Sequence, residues 1–312
     1  MINNRRDFIK TFGSGLALLG LGLNPLELLA KREIIKLTIL HTNDVHSRID
    51  PFPANDPKFP GMGGAARRAA ILKKIRSLEP NVLLFDAGDI FQGTPYFNQF
   101  GGELELRLMS EMGYDAATIG NHDFDNGIEN LQKQMTHANF SFISSNYNFN
   151  DTALEGKILP YKVFRRGELT IGVFGLGIEL QGLVDTRLYG NTKYNDPLSV
   201  ANQTAKKLKF DLNCDLVVCL SHLGLRYTDK KISDELIAKS SNHIDLIIGG
   251  HTHTFLDVPL NYKNAEGNEV LVAQVGWAGI KLGRVDFYFD VRKSKKDALG
   301  CSVKISEKTI AI

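Results

Sequence analysis

Five short polar clusters, each directly behind an apolar run, constrain this chain more than any other feature. They are Asp44-Val45-His46, Gly88-Asp89, Gly120-Asn121-His122-Asp123, Ser221-His222 and Gly249-Gly250-His251-Thr252-His253. Most of the runs before them, at 36–40, 82–85, 118–119, 216–220 and 245–248, are almost continuously apolar, as strands covered on both faces are. Helical stretches are expected at 63–78, 104–112, 127–137, 198–211 and 233–240, and further strands at 140–144 and 169–174. This alternation is the rhythm of an α/β fold, in which ligands bind at the carboxyl ends of the strands. The five clusters are therefore expected to meet in one place. Beyond residue 258 the pattern changes to alternating strands at 269–275 and 283–290 with a turn at 264–268, expected to finish a second sheet in antiparallel fashion.

Together the clusters supply two carboxylates, one amide and four histidines suited to coordination, which is a ligand inventory for two metal ions. Asp44 and His46 are two apart, so in extended chain both point to one side and reach one ion. The same holds for His251 and His253, which serve one metal each if the pair is staggered across a dinuclear centre. A mixed oxygen and nitrogen set without thiolate suits Mn²⁺, Fe or Zn²⁺. A lone histidine after a strand, such as His222, is more often structural than a ligand; the joint occurrence at successive strand ends overrides that reading. Two divalent ions against the charges of Asp44 and Asp89 leave the site electropositive, which attracts a phosphate, and coordination lowers the pKa of a bound water to roughly 7. Cys214, Cys219 and Cys301 form neither a paired framework nor a CxxC motif and read as ordinary thiols.

The order DxH, GD, GNH, isolated His and GHxH resembles the calcineurin-like metallophosphoesterases. The runs His41 to His46, AGDIFQGTP from Ala87 to Pro95 and GNHDFDNG from Gly120 to Gly127 narrow the resemblance to their 5′-nucleotidase branch, over residues 36–290. It implies a four-layer αββα sandwich with a dinuclear metal site at the carboxyl ends of the strands. It further implies Asp44, His46 and His253 on the first metal, Asp89 bridging, and Asn121, His222 and His251 on the second. His122 is implied to stabilise the transition state or assist the leaving oxygen, with Asp125 as its orienting partner. Asp123 stands where this branch often has Glu, and His253 where some relatives carry Gln. His41, His137 and His243 are expected to be structural or solvated, Asn43 to orient a neighbour, and Arg67 and Arg68 to be structural or solvent-facing. Gln92-Gly93-Thr94 reads equally as a phosphate-pocket lining or a turn, and the Pro-rich loop 51–61 equally as a rim of the site or plain surface.

The implied activity is metal-dependent removal of phosphate from nucleotides. The alternatives are a phosphodiesterase acting on cyclic nucleotides or nucleotide-sugars, a hydrolase of sulfur esters, and a metal-bearing subunit needing a separate substrate-binding chain. In this branch a second domain usually holds the nucleoside, and no stretch near the end of this chain is expected to clamp a base between aromatic rings. Either this chain accepts a broader or different phosphoester, or a separately encoded C-terminal-domain chain supplies the binding domain; the second is the favoured expectation. A net charge of +2, with 37 basic residues spread among 35 acidic ones, gives no nucleic-acid-binding face. Residues 1–30 resemble a twin-arginine export signal: Arg5-Arg6 precede Asp7-Phe8-Ile9-Lys10 and a Gly-rich apolar stretch at 11–23, short of the ~20 residues a membrane span needs. The expected location is periplasmic, with a membrane tether if the signal is retained, and the expected domain is residues 33–312.

Overall fold

The computed structural model describes residues 34–290 and 295–310; the expected export signal lies outside them. These residues divide into two units. The smaller consists of strand ends only, residues 34–36 and 287–298 as far as described, with the Lys36 ammonium 5.9 Å from the Tyr288 ring centroid. The larger spans 37–286 and continues from 299, and it carries every residue discussed below.

In chain order the strands are β1 (Ile34–Thr42), β2 (Val82–Asp86), β3 (Ala116–Ala117), β4 (Ser141–Phe142), β5 (Tyr147–Asn148), β6 (Tyr161–Arg166), β7 (Leu169–Gly177), β8 (Lys193–Tyr194), β9 (Leu216–His222), β10 (Leu246–Gly249), β11 (Leu260–Lys263), β12 (Glu269–Ala273), β13 (Lys281–Asp290) and β14 (Lys295–Lys304). The helices are α1 (Ala65–Leu78), α2 (Pro95–Phe100), α3 (Glu103–Glu111), α4 (Ile128–Gln134), α5 (Thr186–Tyr189), α6 (Pro197–Lys206), α7 (Asp234–Ser240) and α8 (Glu307–Ile310). One six-stranded sheet has the order β14-β13-β1-β2-β3-β4 and the other β11-β12-β10-β9-β7-β6; β5 and β8 form a two-stranded ribbon.

Strand periodicity builds the layers. Val82 and Leu84 of β2 face a core with Ile71, Leu72 and Ile75 of α1 and Leu106 and Met109 of α3. Val217 and Cys219 of β9 face another with Ala201 and Ala205 of α6 and Ile237 of α7. The alternate residues, Leu83 and Phe85 on β2 and Leu216, Val218 and Leu220 on β9, are also fully buried, so each sheet has a second covered face. Phe85 meets Phe164 of the opposite sheet with centroids 5.7 Å apart. Helices, sheet, sheet and helices follow one another, which is the expected αββα sandwich.

The end of the chain departs from expectation. β12 and β13 do not finish one sheet together. β12 pairs parallel with β10, and the 264–268 turn instead joins β11 and β12 as an antiparallel hairpin. β13 joins the sheet of β1, and its alternation of buried and half-buried residues is that of a strand with one wetter face. Helix ends also differ. Gly63 and Gly64 take φ of +79° and +100°, so α1 begins at Ala65. The 198–211 stretch passes at Lys207 into a π-helical turn that buries Leu208, and 127–137 ends in a 3₁₀ turn at Met135–His137.

Candidate metal centre

All five clusters converge where the strands end. In the first sheet β1, β2 and β3 run parallel, and in the second β9 and β10 do. Asp44 and His46 follow β1, Asp89 follows β2, and Asn121 and His122 follow β3. His222 is the last residue of β9, and His251 and His253 follow β10. The crossing between clusters is tight. A Cβ on Gly88 would lie 2.6 Å from Gly120 N, and one on Gly120 would lie 2.2 Å from Asp89 Oδ1. Only glycine at these two positions lets the Gly88-Asp89 turn touch the Gly120-Asn121 turn.

Two groups of donors result. Asp44, His46 and His253 gather ligand atoms within 4.8 Å of one another, and so do Asp89, His222 and His251. Within the first, His46 Nε2 is 3.0 Å from His253 Nε2, and His253 Nε2 is 3.4 Å from Asp44 Oδ1. Asp89 Oδ2 reaches both groups, 3.1 Å from His222 Nε2 and 3.8 Å from His46 Nε2. Asn121 Oδ1 joins the second group through His251 Nδ1 at 2.9 Å. The seven residues expected as ligands are thus brought together, and Asp89 sits between the groups.

Three observations test whether this donor set fits divalent ions. First, Asp44, His46, Asp89, His251 and His253 all have φ between 50° and 69°, a left-handed conformation that costs about 1 kcal/mol or more per residue and concentrates at functional sites. Second, the imidazoles are pre-oriented. His46 Nδ1 lies 3.3 Å from the Phe91 carbonyl and His222 Nδ1 2.7 Å from the Ala87 carbonyl, so each donates there and turns Nε2 to the centre. Third, His222 Nε2 is fully buried beside Asp89 Oδ2 without the alignment of a hydrogen bond, as two ligand atoms aimed at a common ion are. Burial lowers His46, and burial followed by the His222 charge lowers His251 to about 4, keeping both neutral and able to ligate. His222 is the exception. Burial opposes its proton, but the Asp89 charge raises it to about 10, while Asp89, despite burial, is held well below the usual carboxylate range by His222. A bound ion would take the place of that proton, so His222 and Asp89 would serve as neutral imidazole and carboxylate donors.

His122 stands beside the first group, its ring centroid 5.3 Å from that of His46. Its Nδ1 is 2.8 Å from Asp125 Oδ2, a bond that raises the imidazole above its ordinary value against partial burial. A cavity of about 200 Å³ opens there, lined by His46, Arg48, Gln92, Gly93, Thr94, His122, His253 and Trp277. Gln92-Gly93-Thr94 therefore lines the site. The loop 51–61 rims it, because Phe52 and Phe59 pack edge-on against Trp277, which itself stacks on His253 at 5.7 Å and 9°.

Asn43 does orient a neighbour: its amide donates to Asp44 Oδ2 and the Gly276 carbonyl, both at 2.6 Å. His41 is buried, and its burial depresses it to about 3, whereas His137 and His243 lie elsewhere, near Glu103 and Phe210. Cys214, Cys219 and Cys301 are free thiols, the first two buried. Arg67 is structural, bonding the Gly61 carbonyl and Glu307. Asp123, expected merely outside the ligand set, accepts from the backbone N–H groups of Gly120, Asp89, Ile90 and Phe91 at 2.8 to 3.1 Å and so clamps two clusters together. Burial and the Asp89 charge push it up to about 7, against four donors that favour its ionised form. Gln274 holds the His251-Thr252-His253 loop, donating to the Gly250 carbonyl at 2.6 Å and accepting from Thr254 N. A lone Gln in the apolar 269–275 run was its sequence signal.

The fold and the two donor groups are those of one protein family. The chain belongs to the calcineurin-like phosphoesterase family, whose model matches residues 37–255. It is similar to human 5′-nucleotidase, 34% identical over 278 residues, covering 82% of this chain and 47% of the relative. A snake venom 5′-nucleotidase from Gloydius brevicauda is 33% identical over 300 residues, covering 87% and 49% respectively. Among solved structures, a 5′-nucleotidase precursor from Thermus thermophilus superposes with a TM-score of 0.78 at 30% identity, over 88% of this chain and 55% of that one. The chain spans about half the length of the curated relatives it matches.

Proposed function

We propose that this chain is a metal-dependent hydrolase of nucleotide phosphate esters. The observation that carries the reading is Asp89, whose Oδ2 faces His46 of one donor group and His222 of the other. Asp44, His46 and His253 would hold one divalent ion and Asn121, His222 and His251 the second, with Asp89 available to both; Mn, Zn or Fe suit these donors. When bound, the ions neutralise phosphate charge and acidify a water to serve as nucleophile. His122 lines the cavity, and because Nδ1 is engaged by Asp125, its Nε2 is free to give a proton to the departing alkoxide as the P–O bond breaks. Asp125 fixes the ring and supports the charged form.

The nucleotide assignment draws on the relatives named 5′-nucleotidase. The matched stretch spans about half of each relative, and a separately encoded chain that contributes substrate contacts is part of the reading. Residues 1–30 serve as a twin-arginine export signal, residues 33–312 form the phosphoesterase domain, and the mature protein works in the periplasm. Among the described residues no helix is long and apolar enough to cross a membrane. The test is phosphate release from nucleoside monophosphates by metal-loaded protein, with and without chelator and with a co-purified partner chain. Release that chelator abolishes is the expected result. Metal-loaded protein that frees no phosphate from any ester, alone or with the partner, would overturn the reading.

A further inference from the structure

The cavity beside the candidate metal centre contains one strong cation that the proposed chemistry does not use. Arg48 lies two residues beyond His46 and lines the 200 Å³ cavity with His122 and His253. It also lines a neighbouring cavity of about 380 Å³, with Asp50, Tyr96 and Gln99. Among the described residues Arg48 is the one Lys or Arg that lines either cavity, and it lines both.

Its guanidinium is held but not neutralised. The guanidinium carbon sits 4.3 Å from the Phe52 ring centroid, and Phe52 is itself packed against Phe59 and Trp277. Stacking on a ring face fixes the plane and leaves the N–H edge for another partner. Among the described residues Arg48 makes no ion pair. The carboxylate of Asp50 accepts from Tyr96 Oη at 2.7 Å, and the half-buried Asp56, which feels the Arg48 charge, takes the backbone N–H groups of Lys58 and Phe59. A half-buried fork of donors, pre-oriented and without an ion-pair partner among the described residues, suits a phosphate oxygen pair.

We infer that Arg48 binds a second phosphate group of the substrate, so that this site favours organic diphosphates over simple monoesters. The inference rests on the proposed function for the position of the reacting phosphate, at the His46, His122 and His253 end. Arg48 lies at the junction of the two cavities, where the group next to that phosphate leads away. It is a specificity-determining residue and takes no part in the proton transfers.

Calorimetric binding of methylenediphosphonate and methylphosphonate to the metal-loaded protein tests this without turnover. The wild type is expected to prefer the diphosphonate at least tenfold. Arg48→Gln should reduce that preference about tenfold, and Arg48→Lys, which keeps charge but loses the fork, should retain part of it. No preference in the wild type overturns the inference. So does a preference unchanged in Arg48→Gln, or equal weakening of both ligands, which assigns Arg48 to the reacting phosphate or to the loop. If the protein frees phosphate from no ester, the proposed function fails, and this binding comparison still decides the role of Arg48.

Discussion

His122 and Asp125 are joined at 2.8 Å, Nδ1 to Oδ2, across three residues of one tight turn. The carboxylate fixes which imidazole nitrogen faces the cavity and raises the affinity of the ring for its second proton. His122→Ala is expected to keep its metal and lose about 10²–10⁴-fold in kcat. Asp125→Asn should lose less, about tenfold or more, with metal content unchanged. Steady-state kinetics beside elemental analysis check both. An unchanged rate in His122→Ala would remove it from the chemistry.

The contact between the Gly88 and Gly120 turns makes a second expectation. A methyl group on Gly120 has nowhere to go, because Asp89 Oδ1 and Asp89 N would lie 2.2 and 2.4 Å from it. Gly120→Ala should displace the shared carboxylate and lower metal affinity at least tenfold, although the position contributes no ligand. Metal titration in competition with a chromophoric chelator measures it. Wild-type affinity in this variant would mean that the two turns yield more easily than their contact distances imply.

Beneath the Asp44 to His46 loop, Arg68 of α1 and Glu105 of α3 face one small cavity of about 20 Å³. Both are buried, and Arg68 Nε and Nη1 and both Glu105 carboxylate oxygens have no hydrogen-bond partner. The two opposite charges face that cavity without forming an ion pair among the described residues, so Arg68→Met, which leaves Glu105 buried without a facing cation, should destabilise by about 1–3 kcal/mol. Adding Glu105→Leu should recover much of that loss. Urea denaturation of the two single variants and the double variant gives the coupling. Additive losses would show that the two charges do not compensate each other.

His41 supplies the pH dependence. Buried to about 3 from an ordinary 6.5, it folds neutral, so its contribution to stability is complete above pH 6.5. As pH falls from 6.5 toward 3, the unfolded chain takes up a proton that the fold refuses, at a cost of about 1.4 kcal/mol per pH unit. His41→Leu should flatten that slope. Denaturation at pH 7.0 and 5.5 in the presence of chelator, wild type against variant, reads the difference. Identical slopes would place the His41 proton in the folded state as well.

The donors of the candidate metal centre were legible because they follow strands whose apolar runs announce themselves; the extended chain expected for the i and i+2 pairs is not what brings them together, since Asp44, His46, His251 and His253 are all left-handed. Long-range partnerships left no such trace. Trp277 stacks on His253, and Phe52 packs edge-on against Trp277, across gaps no local pattern spans. Arg68, expected to be structural or solvent-facing, and Glu105 carry no sequence signal of their shared burial, which arises only when α1 and α3 are packed. Asp123 looked like a bystander because its four partners are backbone N–H groups, which every sequence has. β3, β5 and β8 are two residues each, too short for any periodicity. Alternation marks the 283–290 strand but places it in the wrong sheet, since it reports one wet face and not which neighbour pairs with it.

The central claim is that Asp89 joins two ions in one centre. Reconstitution with Mn²⁺ followed by elemental analysis and electron paramagnetic resonance tests it most directly. The expected result is two Mn²⁺ per chain with an exchange-coupled spectrum in the wild type, and loss of that coupling with fewer than two bound ions in Asp89→Ala. A single Mn²⁺ per chain, or two uncoupled ions indifferent to Asp89→Ala, would contradict the claim.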